Sequence, residues 1–308
     1  MSRYSKVVLL TLVLLCSSLA AIPAYARKSV IHVPGDYTSI EDAVGAATSG
    51  DVIVVGPGEY AGCLLTKQVT IVGCGKTIIS SGPAHTSGLV QGFRLLVGSG
   101  GSTFMHLTFT VDLAIMNGAS VDGVEVSRCT FLNTIQAVSN WGGSHWTITH
   151  NKITDLRTRN GGGIGILVGD RFGGYVHDNL VAHNTITGTL FVWSEDGGGY
   201  DGTGIVLYAD FRWGASGSSG IHDNTVKHNK VSLVSDTPDV VDVIGIELTD
   251  TRDDPELSPI IYDNYVGFND LRGTETQIAL TPESLADVNY ISRNLGGHRG
   301  HGLHPRGH

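Results

Sequence analysis

Hydrophobic and polar positions along this chain follow one short phrase, Asn-x-hydrophobic-x-x-Asn-x-hydrophobic. It reads Asn179-Leu180-Val181-Ala182-His183-Asn184-Thr185-Ile186, then Asn224-Thr225-Val226-Lys227-His228-Asn229-Lys230-Val231. It returns as Asn264-Tyr265-Val266-Gly267-Phe268-Asn269-Asp270-Leu271 and, degenerate, as Asn289-Tyr290-Ile291-Ser292-Arg293-Asn294. Aligned backward, Asn184 matches Asn151, Cys129 and Leu107, with steps of 22, 22 and 33 residues, and the later steps are 45, 40 and 25. A unit of 22 residues with variable insertions is too short for paired-helix repeats. It suits one coil of a parallel β-solenoid, three short strands joined by turns. Val, Ile and Thr at alternate positions, with Asn, Asp and Gly between, fit such strands.

The two Asn columns have a physical reason. Coils stack about 4.8 Å apart, so an Asn at one turn can donate its amide to the Asn above and accept from the one below, satisfying buried polar groups. Val181, Val226, Val266 and Ile291 are expected in one core column, and Ile186, Val231 and Leu271 in another. Upstream, Ile40, Ala43, Val44 and Ala47 fall on one helical face, with Thr38 and Glu41 as the expected capping box. Strand-like Val52-Ile53-Val54-Val55 and Val69-Thr70-Ile71-Val72 follow. This order resembles the right-handed parallel β-helix proteins of the pectin-lyase-like superfamily over nearly the whole chain after its leader. The resemblance implies an all-β right-handed parallel β-helix in which the short helix caps the first coil and shields a sheet edge.

The leader is residues 1–26. Arg3 and Lys6, an apolar run from Val7 to Leu15 and Ala24-Tyr25-Ala26 read as a secretory signal cleaved after Ala26. The further divisions expected are a cap over 27–50, the β-helix over 51–295 and a His-rich flexible tail over 296–308. The product is expected to be secreted or periplasmic, monomeric and not inserted in a membrane. The net charge of −9, made more negative by loss of the leader, argues against nucleic acid and anionic membranes as partners. Cys63, Cys74 and Cys129 remain; Cys63 and Cys74 lie close enough in sequence to pair, and Cys129 sits in an Asn column as a small buried hydrophobe. His298, His301, His304 and His308 are candidate transition-metal ligands in the tail.

Insertions in a solenoid mark where function sits. The strands Gly165-Ile166-Leu167-Val168, Gly204-Ile205-Val206-Leu207 and Gly245-Ile246-Glu247-Leu248 have expanded segments on both sides. Stacked, these form two walls with the outward strand face as a floor. After the strand come Asp170 and Arg171, Asp210 and Arg212, Asp250 and Arg252. Phe172, Tyr208, Phe211 and Trp213 add aromatic faces, and Glu247 and Tyr208 are expected on the floor. Trp193, Glu195, Asp196, Tyr200 and Asp201 belong to the opposite wall. Aromatic rings pack on pyranose faces and Arg grips a uronate carboxylate, so the partner indicated is a polysaccharide. The equally available reading is a turn former with a surface ion pair.

The resemblance implies chemistry for these residues. Lyases of this fold use calcium held by Asp with an Arg or Lys base, which maps onto Asp170, Asp210 and Asp250 for the ion and Arg171, Arg212 or Arg252 for the base or clamp. A hydrolase needs two carboxylates, for which Glu247 with Asp210 or Asp250 are candidates. No intact signature of pectate lyases, polygalacturonases or pectin methylesterases is present. Three functions therefore stand open: a lyase or hydrolase of acidic glycans, a noncatalytic β-helix that binds glycan or a partner, and a metal-handling accessory protein. The last draws on His150, His183 and His228 before ladder Asn residues, on His177 and His222, and on a resemblance to periplasmic copper-accessory β-helix proteins.

Overall fold

The structure, a computed structural model, describes residues 28–159, 162–193, 195, 202–212, 218–252 and 256–296. These wind as a right-handed parallel β-helix. One sheet runs through ten strands from Val30–Val33 to Tyr290–Ser292, a second through eight from Leu64–Leu65 to Thr276–Thr281, and a third through seven from Gly58–Ala61 to Lys230–Ser235. All strand pairs are parallel; an isolated antiparallel bridge joins Ala84 and Val90. Three sheets were expected, and a fourth is present. Tyr175–His177, Gly220–His222 and Ile261–Tyr262 pair where the long insertions rejoin the stack.

The predicted columns form. Val181, Val226, Val266 and Ile291 stand in register, as do Ile186 and Val231, with Leu271 buried in the same core. The early coils are filled by Phe93, Phe104, Phe109 and Phe131, the last two stacked at 4.9 Å. The Gly-Ile strands show why glycine recurs. A Cβ on Gly165 would lie 2.5 Å from the Gly204 carbonyl oxygen, and one on Gly204 would lie 2.6 Å from that of Gly245. The coils approach too closely there for any side chain.

Both Asn ladders are present. Asn184 Nδ2 donates to Asn229 Oδ1 and to the Ile148 carbonyl, and Asn229 Nδ2 donates to Asn269 Oδ1 and the Val181 carbonyl. Each Oδ1 also accepts the backbone N–H of the Asn one coil earlier. Cys129 N–H ends one ladder on Asn151 Oδ1, and Trp146 N–H ends the other on Asn179 Oδ1. Cys129 is buried, which pushes its thiol up to about 12. The residue before every ladder Asn except Asn289 is left-handed, with φ of 58° at His150 and His183 and 55° at His228. That conformation turns the chain and aims the side chain outward.

The ends are closed differently from expectation in one detail. The helix is Ile40–Ala46 with Ile40, Ala43 and Val44 buried against the first coils, but its cap is Ser39, not Thr38. Ser39 Oγ accepts from Asp42 N–H and donates to the Asp42 carboxylate, so the pair sits one residue later than the predicted box. Lys67 Nζ holds the carbonyls of Gly45 and Ala47 at the helix C-terminus. At the far end a 3-10 turn, Glu283–Asp287, buries Leu285, whose carbonyl accepts from Asn289.

Candidate functional site

The three Asp residues after the Gly-Ile strands are buried and already engaged. Asp170 accepts the backbone N–H groups of Phe172 at 2.8 Å, Gly173 at 3.2 Å and Gly174 at 2.8 Å. Asp210 accepts both the backbone N–H of Arg212, at 3.1 Å, and its guanidinium, at 3.0 Å. Asp250 holds Arg252 in the same way, and Arg252 Nη2 also reaches the Ser258 carbonyl. Asp270 and Arg272 repeat the arrangement outside these coils. Asp-x-Arg is therefore a turn that closes on itself. A calcium ion takes six to eight converging oxygens. These carboxylates are instead saturated by N–H donors and a cation, so the donor set does not fit calcium.

The floor is not an open surface. One outward column runs Ser139, Leu167, Val206, Glu247, Ala279. Leu167 is 1% exposed, Val206 2% and Glu247 8%. Glu247 thus faces outward as alternation requires, yet it is covered, and Thr203 Oγ1 donates to its Oε2 at 3.0 Å. The neighbouring outward column runs Trp141, Gly169, Tyr208, Thr249. Gly169 has no side chain between the two rings, so Trp141 and Tyr208 meet edge to face at 5.9 Å.

Cations lie on this aromatic row. Arg171 sits 4.8 Å over Trp141 and 5.4 Å from Phe172. Arg212 covers Tyr208 at 5.3 Å and Arg252 covers Phe211 at 5.3 Å. Arg157, Arg212, Arg252 and Arg272 each hold an aspartate. Among the described residues neither Arg94 nor Arg171 does, and Arg94 Nε is buried with no hydrogen-bond partner. Burial lowers the basicity of Arg171, Asp210 opposes this, and Arg94 adds to it. His85 is also held below its ordinary value, by burial and then by Arg94 and Arg171. Arg94 and Arg171 therefore form a cluster of like charge, with His85 beside them, in a chain of net charge −9.

Sequence reasoning missed His85, Arg94 and Trp141. The signal available was strand alternation: Arg94 and Trp141 are outward positions of the same sheet in earlier coils. Of the other wall, Trp193 packs with Arg159 at 5.3 Å and Glu195 is exposed. Trp213, Asp196, Tyr200, Asp201 and the tail residues His298, His301, His304 and His308 lie outside the described residues. Cys63 and Cys74 do not pair: both are free thiols, the first buried and pushed up to about 12, the second exposed.

No family model matches the sequence. Over 132 residues it is 27% identical to a cell surface glycoprotein of Methanothermus fervidus, a stretch that is 39% of this chain and 22% of that protein. The chain thus spans about a fifth of the curated relative it matches. Among solved structures it is similar to the catalytic domain of a GH87 alpha-1,3-glucanase in complex with nigerose, at 15% identity and a TM-score of 0.33, covering 87% of this chain and 68% of that one. A structure of such a domain with tetrasaccharides matches at 14% identity and a TM-score of 0.33, covering 87% and 69%. The fold assignment rests on the strand pairing itself.

Proposed function

We propose that this protein is an exported β-helix that binds acidic glycans without cleaving them. The observation that carries the reading is the cluster of His85, Arg94 and Arg171 beside Trp141 and Phe172, with no carboxylate hydrogen-bonded to either arginine among the described residues. Arg94 and Arg171 add positive charge in one place and disfavour protonation of His85 beside them. A bound carboxylate relieves that repulsion and takes a bidentate grip from a guanidinium. Phe172, 39% exposed, offers a ring face for the sugar beside Arg171. The resemblance of part of the chain to a cell surface glycoprotein accords with an exported role.

The catalytic alternative needs a free acid or base. Asp210 and Asp250 are bound by the arginine of their own turn, and Glu247 is covered and bonded to Thr203. These groups are committed to holding the turns and the sheet.

Calorimetric titration with an oligogalacturonate and with a neutral glucan oligosaccharide tests the reading. The uronate is expected to bind and the neutral sugar not. Arg171→Lys is expected to weaken uronate binding several-fold, because Lys has no planar fork. Equal affinity for both sugars, or no effect of Arg171→Lys, refutes acidic-glycan recognition here. Chromatography of the incubated uronate, with and without calcium, is expected to show no new products; unsaturated ends would point to a lyase and new reducing ends to a hydrolase.

A further inference from the structure

On the flank opposite in character to the arginine cluster, the turn after the small fourth sheet gathers three potential ligands. His145, His177 and Asp178 each bring a ligand atom within 4.8 Å of the others. His177 Nδ1 lies 2.7 Å from Asp178 Oδ2, and His145 Nδ1 lies 3.9 Å from the same oxygen. The two rings are 5.1 Å apart and nearly perpendicular, at 86°. All three side chains reach solvent, with relative exposures of 58% for His145, 33% for His177 and 56% for Asp178.

The backbone under this trio is fixed. His145 and Asp178 are left-handed, with φ of 59° and 55°. His145 N–H donates to the His177 carbonyl at 3.0 Å, and His177 N–H donates to Ser144 Oγ at 3.1 Å. The next residues, Trp146 and Asn179, are locked by the buried ladder bond between them. Only the side-chain tips are free to turn, so little ordering is needed to close them on an ion.

The trio is also a departure from its columns. Register aligns His145 with Asp178, Asp223 and Asp263, and aligns Ser144 with His177, His222 and Tyr262. His145 stands where its column passes from glycine, at Gly101 and Gly123, to aspartate, at Asp178, Asp223 and Asp263. It stands one coil before the first histidine of the adjacent column. Two imidazoles and one carboxylate meet at that step, whereas the following step pairs His222 with Asp223 beside Tyr262.

We propose that His145, His177 and Asp178 bind one divalent first-row transition cation, with Zn2+ or Cu2+ the best match to the ligands. Two imidazoles with a carboxylate suit these ions and leave a coordination position facing solvent. Ligand atoms around a tetrahedral ion with bonds of about 2.1 Å stand about 3.4 Å apart. Rotation of the exposed side chains closes the 3.9 Å His145–Asp178 separation and opens the 2.7 Å His177–Asp178 contact to that value. The site is distinct from the arginine cluster and does not depend on the glycan reading.

The test uses the full chain carrying His298→Ala, His301→Ala, His304→Ala and His308→Ala, which removes the tail imidazoles. It is titrated with Zn2+ against a chromophoric chelator, and with Co2+ for the visible bands of a low-coordinate site. One equivalent per chain is expected. His145→Asn and Asp178→Asn are each expected to weaken it about ten-fold or more. Asn accepts the left-handed conformation, so both variants keep the turn, and unchanged melting temperatures check this. His183→Asn, in the neighbouring stack, is the control expected to leave binding unchanged. Absence of Zn2+ binding in the tail variant, or binding that survives both His145→Asn and Asp178→Asn, overturns the site.

Discussion

Replacing Asn229 with Ala removes one rung from the middle of a buried ladder. Asn229 is 1% exposed. Its Oδ1 accepts the backbone N–H and the Nδ2 of Asn184, both at 3.0 Å. Its Nδ2 donates to the Val181 carbonyl at 2.9 Å and to Asn269 Oδ1 at 3.0 Å. In the variant the Asn184 backbone N–H loses its acceptor outright. Asn184 Nδ2 keeps one partner, the Ile148 carbonyl, and Asn269 Oδ1 keeps the Asn229 N–H. A buried group left unsatisfied costs about 1–3 kcal/mol. One complete and one partial orphan donor, with the weakened Val181 carbonyl, give about 2–4 kcal/mol. Urea denaturation followed by circular dichroism measures this. The matched control is His228→Asn, because His228 is exposed and left-handed at φ 55°, a conformation Asn accepts. The control is expected to change stability by less than about 0.5 kcal/mol. A variant at Asn229 as stable as that control would refute the ladder as a source of stability.

Three further outcomes follow from the same contacts. Asp51 accepts from the backbone and side chain of both Ser29 and Thr48, which lowers its carboxyl from 3.8 to about 2. A depressed carboxyl stabilises the fold above its unfolded value and loses that contribution as pH falls, so the stability gap between wild type and Asp51→Asn should shrink between pH about 4 and about 2. A gap that is constant over that window would refute it. Gly204→Ala should destabilise by about 1–3 kcal/mol through overpacking, since its Cβ would lie 2.6 Å from the Gly245 carbonyl oxygen; chemical denaturation reads it. Ser39→Ala should cost about 1 kcal/mol through loss of the helix cap while Thr38→Ala costs less, a difference that thermal unfolding separates.

The solenoid was legible because the same residue type meets the same need in every coil. Each interior ladder Asn satisfies two donors and two acceptors that no other side chain of that size could serve, so recurrence in sequence reported recurrence in space. The site was less legible because its signals are not periodic. Asp210 with Arg212 reads as an acid next to a cation, but nothing in the spacing says that they bond to each other. Asp270 and Arg272 make the same turn away from the groove, which identifies the motif as a turn device. Alternation gave the direction of Glu247 but not the cover over it. Trp141 became visible only through Gly169, one coil later, whose missing side chain lets the indole meet Tyr208.

The ladder and the surface chemistry are linked by backbone geometry. The Asn rungs fix the coil spacing, and the left-handed residue before every rung except Asn289 points out at that same spacing. Its side chains therefore stack: His150 on His183 at 5.0 Å, His183 on His228 at 5.1 Å, His228 on Phe268 at 5.2 Å, and Arg293 over Phe268 at 5.3 Å. Flat rings suit a column whose pitch is set by strands about 4.8 Å apart. The second ladder carries His145, Asp178, Asp223 and Asp263 in the corresponding position. A buried rung tolerates almost no change, because each Asn is bonded to coils on both sides. The residue beside it can change freely and always lands at the same place on the flank. One histidine one coil before the first aspartate of that column is then enough to bring two imidazoles and a carboxylate together without any alteration of the core.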